Sequence, residues 1–225
     1  MRTSLKALLI LCTLGAVAYG LGWLGLQTPA GIQMRVTDSV VKVVVTEWDK
    51  EAGMQVPYAH GTGAFIDWYG SILTAAHLVE NHPLAFIRYG DRQIAYARVA
   101  MDAKKDLAIL VPVHGRVHTW PLFLGDGAAY GDRIYVVGYP GPMPQIFATG
   151  YVVGWDRGRI FVSAPIASGS SGGPILSSFV TIVGVIRGYP KPEDTSEAWQ
   201  GYTFGPYVGQ IKPFIEAWRN GTSKN

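Results

Sequence analysis

The chain has 225 residues, 48% of them hydrophobic, enough to fill a sizeable core in one domain or two tightly packed halves. Its formal charge is +3, and Arg2 and Lys6 supply two of those charges ahead of an apolar leader, so the rest carries only +1 and nucleic-acid binding gains no support. The single cysteine, Cys12, lies in that leader, which leaves the body no disulfide and no thiolate metal site, and makes packing its source of stability.

Residues 7–26 are almost uninterruptedly apolar. About 20 such residues cross a bilayer core, while Ala16-Val17-Ala18 resembles a signal-peptidase site, so residues 1–26 are expected to be a membrane anchor or a signal peptide. Either way the positive charges stay on the cytoplasmic side and the body is sent across, to a periplasmic or cell-surface address. Leu11, just before Cys12, is too bulky for a lipoprotein site.

Residues 27–31 read as a linker, and the β-branched run at 40–46 marks a strand over 39–48. Strands are then expected at 63–67, 71–74, 84–89, 93–100 and 107–111, a connector at 113–121, and a second series at 133–138, 146–155, 159–163, 173–176, 181–186 and 202–204. Val208, Ile211, Phe214, Ile215 and Trp218 fall at helical intervals, so an amphipathic helix should close the chain. Twenty-eight glycines and fourteen prolines, spread along the sequence, suit short strands joined by turns. The fold class is therefore all-β, with a body over 33–222: a first barrel at about 33–115, a second at about 120–206 and a helix at about 207–219. The tryptophans of the body read as barrel and helix packing.

Three segments carry chemistry. Leu73-Thr74-Ala75-Ala76-His77 runs from a strand end to a histidine, the side chain that titrates nearest neutrality and so suits a general base. Asp106-Leu107-Ala108-Ile109-Leu110 sets an acid before an apolar strand, where a carboxylate can accept the histidine Nδ1 hydrogen and stabilise the imidazolium. Alone, each is weak, because isolated histidines are more often structural and aspartates commonly begin strands or turns. Gly169-Ser170-Ser171-Gly172-Gly173-Pro174 is more specific. A serine hydroxyl needs a base to become nucleophilic, and the oxyanion that forms needs donors already in place. Glycines beside Ser171 allow the backbone to turn the N–H groups of Gly169 and Ser171 inward. The order His, Asp, Ser is one of those known to build a catalytic triad.

With TAAH at 74–77, DLAIL at 106–110 and GSSGGP at 169–174, the sequence resembles the chymotrypsin-like serine endopeptidases. Leu124-Gly125-Asp126 leading to Gly131-Asp132, then Val137-Gly138-Tyr139-Pro140 and Gly201 to Phe204, favour the HtrA (Deg) branch. The resemblance spans about 36–218 and implies two perpendicular six-stranded antiparallel barrels with the triad between them: His77 as base and Asp106 as orienting acid from the first, Ser171 as nucleophile from the second. Ser170 stands where digestive members carry an acid that pairs with a newly cut N-terminus, so activity without N-terminal trimming is expected. No PDZ domain is expected within this chain, since few residues follow the final helix.

Between Phe161 and Ser170 there is no acid, and Pro165 stands at the trypsin-like offset, so a preference for Arg or Lys is not expected. The substrate pocket is assigned to Pro165, Ile186, Arg187, Gly188, Tyr189 and Gly201, with small or medium aliphatic residues favoured if Tyr189 points inward. His114 and His118 lack a third evident ligand, so no metal and no cofactor is implied. The expected partners are polypeptide substrates and, through the N-terminal segment, a membrane. A noncatalytic, membrane-tethered peptide-binding module is the rival from another class. An esterase is weaker, because Ser171 is not in a hydrolase nucleophile elbow.

Overall fold

The computed structural model describes residues 28–51, 53–189 and 202–222, so the leader expected at 1–26 lies outside the described residues. The chain divides into two compact units, 1–35 and 36–225. In the first, part of the expected linker is helical: α1 spans Pro29–Val36. Thr28 Oγ1 accepts the Gly31 N–H at 3.1 Å, and Pro29 occupies the first helical position, which needs no N–H donor.

The second unit begins with a closed antiparallel barrel of β1 (Val40–Asp49), β2 (Met54–Phe65), β3 (Ile72–Thr74), β4 (Leu84–Tyr89), β5 (Arg92–Asp102) and β6 (Leu107–Pro112). Spatially the order is β1-β2-β3-β6-β5-β4, closed where Val43 pairs with Ile87. Alternation decides which side chains face inward: Val41, Val43 and Val45 of β1 are buried and pack in one cluster with Phe65, Ile72 and Tyr96. Each such aliphatic side chain contributes roughly 1.5–3 kcal/mol on burial. β2 starts well before the expected residue 63, because its first half is largely exposed and lacks an apolar alternation. It is held instead by backbone pairing to β1, from Asp49 opposite Met54 to Val40 opposite Ala64.

The second sheet contains β7 (Arg133–Gly138), β8 (Ile146–Asp156), β9 (Arg159–Val162), β10 (Pro174–Ser177), β11 (Ile182–Val185) and β12 (Thr203–Pro206), in the order β11-β10-β7-β8-β9-β12. Among the described residues this sheet curls without a continuous closing ladder, so there the first of the two expected barrels is fully closed and the second is not. Its edges meet at isolated bridges, Gly184 with Tyr207 and Gly188 with Phe204. Gly205 permits their approach: a Cβ there would lie 1.7 Å from the Val185 carbonyl oxygen. Ile134, Val136, Val152, Ile160, Ile175 and Val183 form the second core.

A four-residue helix, α2 (Ala76–Val79), follows β3, and α3 (Val208–Arg219) closes the chain with Val208, Ile211, Phe214 and Ile215 buried, as their spacing required. The tryptophan expectation is overturned for four of the residues. Trp48, Trp68, Trp120 and Trp155 are exposed, because aliphatic residues with Phe65 and Tyr96 fill the cores; Trp218 of α3 is half-buried, and Trp199 lies outside the described residues. No helix among the described residues is long and apolar enough to cross a membrane.

Candidate active site

His77 is the second residue of α2, and Asp106 directly precedes β6. Because β3 and β6 are neighbours in the barrel, with Thr74 opposite Ala108, their ends carry the two side chains to one place. Asp106 has φ +59°, in the left-handed region that aspartate tolerates better than most residues. Its Oδ2 lies 2.9 Å and its Oδ1 3.0 Å from His77 Nδ1, and Oδ1 also accepts the His77 backbone N–H at 2.9 Å. The carboxylate side chain is 5% exposed and the imidazole 47%, so a buried acid holds a histidine whose other edge faces outward. Arg187 Nε approaches Asp106 Oδ2 to 3.6 Å and supplies a second partner for the buried charge.

Ser171 sits in a loop whose path only glycine allows at two points: Gly169 has φ +99° and Gly172 has φ +85°. A Cβ on Gly172 would lie 2.1 Å from the Thr62 carbonyl oxygen and 2.3 Å from Thr74 Oγ1. The loop is fastened to the first barrel at fully buried Thr62. The Thr62 N–H donates to the Ser171 carbonyl at 2.8 Å, and its hydroxyl donates to the Gly169 carbonyl at 2.8 Å while accepting the Tyr139 N–H at 2.9 Å. Ser168 turns its carbonyl to the Gly141 N–H, 2.9 Å away, which aims the opposite side of that peptide, the Gly169 N–H, elsewhere. Among the described residues neither the Gly169 nor the Ser171 N–H donates to any group, although Ser170 between them donates to the Ala167 carbonyl at 3.0 Å.

The Ser171 hydroxyl donates to the Arg187 carbonyl at 3.0 Å, and no hydrogen bond joins it to His77 among the described residues. Arg187 thus meets Ser171 through its backbone and Asp106 through its guanidinium, which connects the two halves of the site.

The sequence pattern of the trypsin-like peptidase domain matches residues 61–185. The chain belongs to the trypsin-like peptidase family. It is similar to the chloroplastic protease Do-like 1 of Arabidopsis thaliana, at 27% identity over 158 residues, covering 64% of this chain and 36% of that protein. An uncharacterised protein of Sinorhizobium fredii is 29% identical over 147 residues, covering 56% of this chain and 21% of that one. The chain therefore spans well under half the length of these two relatives. It shares its fold with the serine endoprotease from Yersinia pestis, with a TM-score of 0.73 at 19% identity, over 86% of this chain and 68% of that one. The family match and the common fold make this a trypsin-like peptidase domain, and its sequence is similar to that of a Do-like protease.

The residues assigned to the peptidase's substrate pocket do not all present side chains to one cavity. Ile186 is fully buried in the second core and meets the serine loop through its backbone: its N–H donates to Gly173 at 2.8 Å and its carbonyl accepts from Gly172 at 2.7 Å. Arg187 directs its guanidinium to Asp106. Gly188 pairs with Phe204. Tyr189 reaches across to the segment holding Pro165, where its hydroxyl donates to the Ile166 carbonyl and accepts the Ile166 N–H. Gly201 lies outside the described residues. His114 and His118 are exposed, and among the described residues no group of three His, Cys, Asp or Glu is arranged to hold a metal.

Two neighbours of the loop were missed in the sequence. Thr62 lies between Gly61 and Gly63, and a Cβ on Gly61 would lie 2.9 Å from the Ser171 carbonyl oxygen. A polar residue between two strand glycines signals close approach of another backbone, a cue weaker than a catalytic motif. His60 has its Nε2 buried without a hydrogen-bond partner, and a Cβ on Gly169 would lie 2.6 Å from that nitrogen. Burial, reinforced by the nearby Lys42 charge, lowers the pKa of His60 below its ordinary value, so a neutral ring backs the serine loop near pH 7.

Proposed function

We propose that this domain hydrolyses peptide bonds of extracytoplasmic polypeptides through an acyl-enzyme, with Ser171 as nucleophile, His77 as general base and Asp106 as orienting acid. The observation that carries this reading is the buried Asp106 carboxylate on His77 Nδ1, joined through Arg187 to a serine flanked by two uncommitted amide donors. Rotation of the Ser171 hydroxyl from the Arg187 carbonyl to His77 Nε2 starts the reaction. His77 takes the hydroxyl proton as Oγ attacks the carbonyl carbon, and the Gly169 and Ser171 N–H groups receive the oxyanion. The imidazolium, balanced by Asp106, protonates the leaving amine. Water then attacks the acyl ester with His77 again as base, releasing the acid and restoring Ser171. No cofactor enters these steps.

Tyr189, bridging to Ile166 next to Pro165, supports a small or medium aliphatic residue before the cleaved bond. An extracytoplasmic site of action, with the membrane as a partner, rests on the basic and apolar pattern of residues 1–26. The Ser171 hydroxyl on the Arg187 carbonyl is the one observation that favours a noncatalytic peptide-binding module instead. Casein digestion separates the two: cleavage that Ser171→Ala abolishes is the expected result, and casein left intact by the purified protein at several pH values would leave only the binding module.

A further inference from the structure

The least expected feature of the surface is a set of exposed aromatic side chains that pack on one another. Trp68 is 49% exposed, Tyr69 55%, Trp120 70% and Phe123 58%. The Trp68 and Trp120 rings meet edge to face at 5.3 Å, Trp68 and Phe123 at 6.4 Å, and the Arg116 guanidinium lies 4.4 Å above the Tyr69 ring. Together they expose on the order of 400 Å² of largely apolar surface, the size of the largest patch on a typical soluble domain, which is often functional. The patch is held rigid. The Val117 N–H donates to the Tyr69 carbonyl at 3.1 Å and the Thr119 hydroxyl to the Asp67 carbonyl at 3.2 Å, which binds the segment between the two sheets to the β2–β3 turn. Asp67, the acid of that turn, directs Oδ1 to the backbone N–H groups of Tyr69 and Ser71, so its charge is committed locally while Arg116 stays outward.

The position of the patch identifies its occupant. The Ser39 hydroxyl donates to the Trp120 carbonyl at 2.6 Å, so the aromatic cluster adjoins the first residues of the second unit. Ser39 comes thirteen residues after Leu26, the end of the apolar run. Eight of those residues form α1 and three a 3-10 turn, so the stretch can reach at most about 25 Å from the end of the run, at 1.5 Å, 2.0 Å and about 3.4 Å per α-helical, 3-10 and extended residue. Tryptophan, tyrosine and a basic residue are the side chains that settle at the level of lipid headgroups.

We propose that Trp68, Tyr69, Trp120 and Phe123, with Arg116, form a docking surface for the headgroup region of a phospholipid bilayer, laying the domain on the membrane that residues 7–26 enter. This rests on the membrane tethering in the proposed function and assigns it an orientation. The test uses the full chain in phosphatidylcholine–phosphatidylglycerol vesicles containing lipid brominated near the headgroup end of its tails. Every variant carries Trp23→Phe, which removes the tryptophan of the apolar run and leaves six. Bromolipid should quench the emission of this parent, and the added pair Trp68→Ser and Trp120→Ser should remove that quenching while the protein still floats with the vesicles. Trp48→Ser, at an exposed tryptophan outside the patch, should leave quenching in place. Absence of quenching in the parent, equal quenching in the double variant, or loss on Trp48→Ser alone overturns the proposal. So does a parent that fails to float with vesicles. Flotation reads the tether, quenching reads the patch, and casein digestion reads the peptidase, so the three fail separately.

Discussion

The two halves of the site are positioned by different means. In the closed first barrel, adjacent strand ends deliver two side chains, and a carboxylate–imidazole pair makes the geometry. In the curled second sheet the nucleophile rides on a loop shaped by backbone: glycines at positive φ, amides left open, and carbonyls fastened to Thr62 and Gly141. Substitutions in the first half should therefore separate chemistry from stability, and substitutions in the second should damage both.

The largest effect sharpens that contrast. Truncating half-exposed His77 to alanine should lower kcat/KM by about 10⁴-fold or more, with the thermal midpoint nearly unchanged, because the ring contributes chemistry and little packing. Steady-state kinetics beside a melting curve checks this, and a large drop in midpoint would erase the distinction.

Next comes the loop. Gly172→Ala should destabilise the fold by about 3 kcal/mol or more and reduce activity with it, since the added methyl meets the Thr62 carbonyl at 2.1 Å in a left-handed conformation. Denaturant unfolding reads this, and near-native stability would break the comparison from the other side.

A smaller effect lies where the halves are joined. Thr62→Val removes the donor to the Gly169 carbonyl and should lower kcat by about tenfold with little change in KM, a loss matching one buried hydrogen bond near the oxyanion donors. Thr62→Ser keeps the hydroxyl and should recover most of the rate. A change confined to KM would assign Thr62 to substrate binding instead.

The smallest effect concerns pH. His60 has its pKa lowered in the folded state, so the unfolded chain binds the proton more readily. Its contribution to stability is complete above the ordinary histidine value near 6.5 and is lost as pH falls through that value and the lower folded one. His60→Gln should therefore flatten the decline of the thermal midpoint between about pH 7 and pH 5. Parallel declines in both proteins would remove His60 from this role.

Both halves were legible in sequence, the side-chain half through less specific cues. A histidine after a β-branched strand end and an acid before an apolar strand are local patterns, and the strands beside them, Ile72–Thr74 and Leu107–Pro112, are short buried apolar runs bounded by turn residues. The serine loop was legible through its glycines, because left-handed backbone leaves a compositional mark. What depends on long-range register was not. Thr62 lies 107 residues from Gly169, and no periodicity links them. Arg187 could be placed near the site but not aimed at Asp106, since its direction depends on how the second sheet curls toward the first barrel. The outer half of β2 and the exposed tryptophans misled for the same reason: pairing and location overrode what composition alone suggested.

The central claim is that Ser171 is a nucleophile driven by His77. Reaction of the full chain with a fluorophosphonate, followed by peptide mass mapping, tests it directly. A single adduct on Ser171 that disappears in His77→Ala is the predicted result. No adduct, an adduct on Ser170, or labelling indifferent to His77 would contradict it.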